Sequence, residues 1–206
     1  MKKLLMEFIG TFFFILTIAL SLSPWAVATM LMAWLYIGVY VSGGHYNPAV
    51  SFAMALRGRF EWAECWAYML AQCVGGFCAY AMASFLNGQM HVPEMGASMT
   101  HGFIIETLLT FIFASVVLNV ITGEKFRGSH IFGFAIGFTF PALVALGGPI
   151  SGGLFNPAIA IGSMIFGAFK GMNIMWPHLM VFVVSQLLGA FLAATAFRYF
   201  VLDREK

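Results

Sequence analysis

The sequence predicts an all-α integral membrane protein with six transmembrane helices, two re-entrant half-helices and an inverted 3+3 repeat. Three observations carry this prediction. Hydrophobic residues make up 61% of the 206-residue chain and charged residues 9%, with a mean hydropathy of +0.91. A soluble domain carries about a quarter charged residues and roughly 45–50% apolar ones, so most of this chain must face lipid or itself. Six apolar stretches have the length of roughly 20 residues that a bilayer crossing requires. Finally, three motif elements recur in one order in the two halves of the chain. The composition also excludes a disordered chain, a disulfide-stapled secreted fold and nucleic-acid binding. A net charge of +2 is too small to recruit an anionic partner.

The expected spans cover about 4–22, 25–43, 61–86, 101–122, 130–147 and 177–201. Ser23-Pro24 separates the first two. Residues 88–98, with Pro93, form a polar loop, and residues 123–129, with Glu124, Lys125 and Arg127, form another. Met-Lys-Lys followed by an apolar run imitates a signal peptide. Glu7 falls inside that run and no small-x-small cleavage site follows, so a retained first helix is expected. Two further apolar stretches, about 47–56 and 156–168, are only 10–13 residues long and each opens with Asn-Pro-Ala. They are too short to span and are expected to re-enter the membrane.

The short stretches belong to an internal repeat. Glu7 opens Glu-Phe-Ile-Gly-Thr-Phe in the first span, and Glu106 opens Glu-Thr-Leu-Leu-Thr-Phe in the fourth. Gly43-Gly44-His45-Tyr46-Asn47-Pro48-Ala49-Val50 is echoed by Gly152-Gly153-Leu154-Phe155-Asn156-Pro157-Ala158-Ile159. Gln72-x-x-Gly75-x-Phe77 is echoed by Gln186-x-x-Gly189-x-Phe191. Each repeat (about 1–87 and 99–206) holds three full spans, so the second copy enters from the opposite side and the two form one transmembrane domain over 1–206. With both termini cytoplasmic, Lys2, Lys3, Arg57, Arg59, Lys125, Arg127, Arg198, Arg204 and Lys206 lie inside and only Lys170 outside, as the positive-inside rule favours.

Asn is a good N-cap, and Pro suits the first helical turn, where its missing N–H is no loss. Asn47-Pro48 and Asn156-Pro157 therefore each start a half-helix whose irregular lead-in must be buried in protein or line a wet cavity. Inverted symmetry brings both helix N-termini to the midplane. Two positive helix ends and two side-chain amides there favour a water or hydroxyl oxygen and oppose a cation.

The paired Asn-Pro-Ala segments (Asn47, Pro48, Ala49 and Asn156, Pro157, Ala158), Glu7 and Glu106, Gly44-His45-x-Asn47 and Gly148-Pro149-Ile150-Ser151-Gly152 resemble the aquaporin family, the major intrinsic proteins, over nearly the whole chain. The resemblance implies a homotetramer in which each monomer holds its own pore, with ion rejection at the half-helix dipoles, a device of aquaporin-type pores. The chain departs from the family directly after the second motif, where aquaporins usually carry Arg and this sequence has Ile159. By the family's spacing the other three positions of the outer constriction are Val27, Val144 and Gly153. Water-selective members have bulky aromatic or His side chains at the first two. Four apolar or small residues imply a wider, less polar constriction that lacks a fixed positive charge. An Asp two residues after that Arg often marks glycerol channels; here the position is Ile161, which does not indicate a dedicated glycerol facilitator. The expected function is a passive channel for water together with small uncharged solutes such as glycerol, urea or ammonia, resident in the lipid bilayer of the cell membrane and using no cofactor.

Glu7 and Glu106 sit inside apolar spans, where an ionisable group is a functional hypothesis by default. A proton relay is one reading; acceptance of hydrogen bonds from the re-entrant loops' backbone N–H groups is the favoured one. His45 either pins the first loop or lines the inner half of the pore. Gln72 and Gln186 are expected to hydrogen-bond between helices. His101, His130 and His178 stand at helix starts facing the interface, and Gly133-x-x-x-Gly137, Gly75-x-x-x-Ala79 and Gly189-x-x-x-Ala193 signal close helix crossings. Cys65, Cys73 and Cys78 are expected to pack as small apolar residues rather than bind metal. No catalytic constellation is present, neither a nucleophile elbow, a His-Glu-x-x-His, a phosphate loop nor a carboxylate pair, so no enzymatic activity is expected. The competing classes are a proton-coupled transporter using Glu7 and Glu106, and a structural membrane protein with a closed pore.

Overall fold

The computed structural model describes residues 1–21, 23–88, 92–96, 98–126 and 128–201. Among them are eight α-helices: α1 Lys2–Ser21, α2 Pro24–Ser42, α3 Pro48–Leu56, α4 Trp62–Asn87, α5 Met99–Thr122, α6 Phe132–Ser151, α7 Pro157–Phe169 and α8 Trp176–Phe200, with a 3-10 turn over Glu124–Phe126 between α5 and α6. Six are long and apolar enough to cross a membrane. The short ones, α3 and α7, are the half-helices. The protein is therefore a multi-pass integral membrane protein. Its outer faces carry large exposed side chains such as Trp25, Tyr40, Phe85, Phe138 and Phe191, as a lipid-facing surface requires.

Helix packing repeats between the halves. α1 packs on α2 and α4 as α5 packs on α6 and α8. Gly75 and Gly189 mark close crossings within the two repeats. A Cβ at Gly75 would lie 2.7 Å from the Phe8 carbonyl oxygen, and one at Gly189 would run into that of Thr107. Side-chain-free positions at these points let the backbones approach. The halves also interlock, since α3 packs on α8 of the other repeat, α7 on α4, and α2 on α6.

Both ends of the described chain lie on one face. Lys3 pairs with Glu64 at 2.8 Å, and Arg57 sits 5.0 Å from the Phe197 ring near the end of α8. Arg59 reaches Glu124 at 3.9 Å on the same face. Lys170 caps α7 on the opposite face. Arg127, Arg204 and Lys206, which the charge argument also used, lie outside the described residues.

One span is longer than expected. Instead of closing near 147, α6 runs to Ser151 with Pro141 and Pro149 inside it. Tertiary contacts extend it. Ser151 Oγ donates to Glu106 at 2.6 Å, and left-handed Gly152 closes the helix with its N–H on the Gly148 carbonyl at 3.1 Å.

Candidate functional site

Each re-entrant loop is built around one fully buried carboxylate. Glu7 Oε1 accepts from Ser42 Oγ at 2.6 Å and the His45 N–H at 3.0 Å, while Oε2 accepts from the Tyr46 N–H at 2.7 Å and Gln72 Nε2 at 2.8 Å. Glu106 repeats the pattern. Its Oε1 accepts from Ser151 Oγ at 2.6 Å and the Leu154 N–H at 2.9 Å, and its Oε2 from the Phe155 N–H and Gln186 Nε2, both at 2.8 Å. The serines in turn accept from the Gly44 and Gly153 N–H groups at 3.2 and 3.1 Å. Backbone amides at membrane depth have no water to turn to, and a carboxylate with two acceptor oxygens satisfies two of them at once. Each loop then turns through left-handed residues, Gly43, Gly44 and Tyr46 in one and Gly152, Gly153 and Phe155 in the other. Glu7 and Glu106 are 0% exposed, and each carboxylate oxygen accepts two of these hydrogen bonds.

Where the loops end, the half-helices begin. Asn47 caps α3 by accepting from the Ala49 N–H at 2.9 Å, and Asn156 caps α7 by accepting from the Ala158 N–H at 3.0 Å. Pro48 and Pro157 occupy the first helical position. The two amides also cross between repeats. Asn47 Nδ2 donates to the Phe155 carbonyl at 2.9 Å, and Asn156 Nδ2 donates to the Tyr46 carbonyl at 3.0 Å. Each Asn thus holds the other's loop, and the N-termini of α3 and α7 meet head to head. Beside this junction lies a cavity of about 10 Å³ lined by Phe14, Leu31, Phe113, His45, Asn47 and Asn156, with Tyr46 and Phe155. That is about the space needed for a single water.

Two larger cavities flank it. On the face opposite the termini, a cavity of about 210 Å³ brings together Val27, Val144, Gly153 and Ile159, the four residues expected at the outer constriction. Tyr80, Phe140, Leu154 and Glu94 are among the other residues of its wall. On the terminal face a cavity of about 290 Å³ lies against His45, Phe60, Tyr68, Met54, Arg59 and Lys3. His45 borders both this cavity and the small central one, and its Nδ1 lies 3.0 Å from Ser51 Oγ. This places His45 both at the end of the first loop and against the two cavities. Gln72 Nε2 joins the same group at 2.9 Å from Ser51 Oγ.

Sequence reasoning assigned no role to Ser42, Ser151 or Tyr80. Ser42 and Ser151 were legible, because the repeated motif extends one residue further as Ser-Gly-Gly at 42–44 and 151–153. Nothing in the local sequence marks Tyr80, which reaches the outer cavity only through the packing of α4 on α7. His101 lies in the first turn of α5, and His178 in that of α8. The carbonyl of His130, ahead of α6, accepts from Tyr36 Oη at 2.7 Å.

The model of the major intrinsic protein family matches residues 1–199 of this chain. The chain belongs to the major intrinsic protein family. Among curated proteins it is similar to Glycerol uptake facilitator protein-like 6 of Lactiplantibacillus plantarum, 32% identical over 94% of this chain and 97% of that one. It is likewise similar to Aquaporin NIP1-4 of Oryza sativa subsp. japonica, 32% identical over 97% of this chain and 76% of that one. Among solved structures, the aquaglyceroporin from Plasmodium falciparum superposes with a TM-score of 0.85 at 18% identity, covering 97% of this chain and 96% of that one. That likeness establishes the major-intrinsic-protein fold. Ile159, directly after the second Asn-Pro-Ala, is 3% exposed in the wall of the outer cavity.

Proposed function

We propose that this protein is a passive transmembrane channel for water and small uncharged solutes, among them glycerol, urea and ammonia. The observation that carries the reading is the reciprocal latch between Asn47 and Asn156. It sets two helix N-termini against one water-sized cavity, with wider cavities on either side. A solute oxygen in the central cavity meets amide N–H groups and two positive helix ends, which suit an acceptor and repel a cation. Asn47, Pro48, Ala49, Asn156, Pro157 and Ala158 form this barrier. Val27, Val144, Gly153 and Ile159 form an outer constriction without a fixed charge, so passage there is governed by size and polarity. Glu7, Glu106, Gln72, Gln186 and His45 hold the loops in place. The names of the relatives, a glycerol uptake facilitator-like protein and an aquaporin, support both the water and the small-solute parts of this reading.

The whole chain forms one channel unit of two repeats, about 1–87 and 99–206. The face that carries Lys2, Lys3, Arg57, Arg59, Lys125 and Arg198 is cytoplasmic by the positive-inside rule, the membrane is the cell membrane, and four copies assemble with one pore each. The test is stopped-flow light scattering on proteoliposomes of the purified protein under sucrose, glycerol and urea gradients. Water, glycerol and urea rates above those of empty liposomes, linear in concentration, are expected. Rates equal to empty liposomes for all three overturn the channel reading, and saturable flux driven by a pH gradient replaces it with a coupled transporter.

A further inference from the structure

The outer cavity is almost wholly apolar in its side chains. Among its described lining residues, polar side-chain atoms come only from Glu94 and Tyr80. Glu94 is exposed on the 88–98 loop, whereas Tyr80 is 2% exposed and projects from α4. Its level in the membrane follows from the α4–α7 crossing. A Cβ at Gly76 would lie 2.5 Å from the Ala158 carbonyl oxygen, and one at Gly162 would lie 2.6 Å from the Gly76 carbonyl carbon. Tyr80 is one helical turn beyond Gly76, which brings it level with Ile159 and Ser163. Ser163 Oγ already donates its single proton to the Ile159 carbonyl, at 2.7 Å. Ser163 therefore has no proton to offer the phenol, and the phenolic oxygen keeps its acceptor capacity.

This arrangement has no counterpart in the other half. By the register that equates Gln72 with Gln186 and Asn47 with Asn156, Tyr80 corresponds to Ala194 and Ser163 to Met54. The carboxylate cradles, which serve the fold, are duplicated, whereas Tyr80 at the outer cavity is not. A residue needed only to hold the repeat together would be expected twice.

We propose that Tyr80 is a selectivity-determining residue of the outer constriction, its hydroxyl oxygen acting as a neutral hydrogen-bond acceptor within the ring of Val27, Val144, Gly153 and Ile159. The inference rests on the channel reading above and names the solute chemistry it favours, namely compact solutes with N–H or O–H donors, of which urea is the test case. Water in single file keeps hydrogen bonds to the waters before and behind it. Urea fills the ring and has no such escort, so the loss of one acceptor weighs more on urea than on water.

The experiment measures urea and water rates in the same proteoliposomes for the native protein, Tyr80→Phe and Tyr80→Phe with Ile159→Asn. Tyr80→Phe keeps the ring volume, and removal of one hydrogen-bonding partner should lower the urea-to-water ratio about 3- to 10-fold. Ile159→Asn restores an acceptor from the facing wall and should recover most of that ratio. An unchanged ratio, or a proportional fall of both rates as a loss of folded channels would produce, overturns the inference while leaving the channel reading intact. Absence of flux in the native protein overturns the channel reading instead. Should Tyr80→Phe not reconstitute, the pair Tyr80→Gln and Tyr80→Leu carries the test. Retention of the ratio by Gln and its loss by Leu supports the inference, and equal ratios in the two overturn it.

Discussion

The two re-entrant loops share a scaffold and differ in chemistry. Glu7 and Glu106 hold their loops through matching sets of one serine hydroxyl, two backbone N–H groups and one glutamine amide. The half-helices begin with the same Asn cap and the same crossed amide bond. Past that frame the symmetry ends. The first half carries His45 in the loop and Ser51 in α3, bonded to each other, and Ser51 also accepts from Gln72; the equivalent positions in the second are Leu154 and Ala160. The passage is thus lined by an imidazole on the terminal side and mainly by aliphatic and aromatic side chains on the other. Backbone amides in a membrane must be satisfied wherever a loop re-enters, so the frame is constrained in both copies. Side chains facing the passage carry no such obligation and are free to set selectivity.

The equivalence of the frames is most severely tested by removing a carboxylate. Glu7→Leu or Glu106→Leu leaves two buried N–H groups, a hydroxyl and an amide without their acceptor, at about 1–3 kcal/mol for each unpaired group. Either variant should lose well over about 3 kcal/mol and disappear from the monodisperse fraction on size exclusion in detergent. Survival of one variant but not the other would break the comparison. Next in size, Asn47→Ala and Asn156→Ala each remove a helix cap and a crossed hydrogen bond, about 2 kcal/mol together. Both should lower the thermal unfolding midpoint by similar amounts and reduce osmotic water permeability; a water rate indifferent to Asn156 would mean that solutes do not pass this junction.

The remaining predictions concern the half of the molecule in which the loops differ. Ile159→Arg should reduce glycerol and urea rates about ten-fold while water stays within about two-fold, since a few atoms in a tight apolar site discriminate by that order. An unchanged solute rate would move the constriction away from Ile159. The smallest effect is expected from His45→Leu, which makes the first loop resemble the second. Ser51 keeps its bond from Gln72, so the loss should be about 1 kcal/mol with a modest fall in water rate. A collapse as large as that of Glu7→Leu would show that His45 belongs to the frame.

Much of this was legible in the chain. Lack of charge and the lengths of the apolar runs announced the six spans, because hydropathy is summed over residues that are neighbours in sequence. Asn47-Pro48 and Asn156-Pro157 announced two helix starts, because a cap acts on an N–H two residues away. The repeated Glu, Asn-Pro-Ala and Gln announced inverted symmetry, and family spacing named four residues that the fold does gather around one cavity. The apolar run alone closed the fifth span near 147, whereas α6 continues to Ser151, because the contacts that carry the helix onward come from Glu106 on another helix.

The sequence by itself determined that the chain lives in a membrane, how often it crosses, where it turns back and which residues start the half-helices. Each of these follows from interactions within a few residues. The tertiary structure decided what those residues meet. Glu7 finds Gln72 65 residues away, Asn47 finds the Phe155 carbonyl 108 residues away, and Tyr80 reaches the Ile159 wall through the Gly76–Ala158 crossing. Such pairings depend on how closely whole helices can approach, a property of packed surfaces rather than of any local pattern.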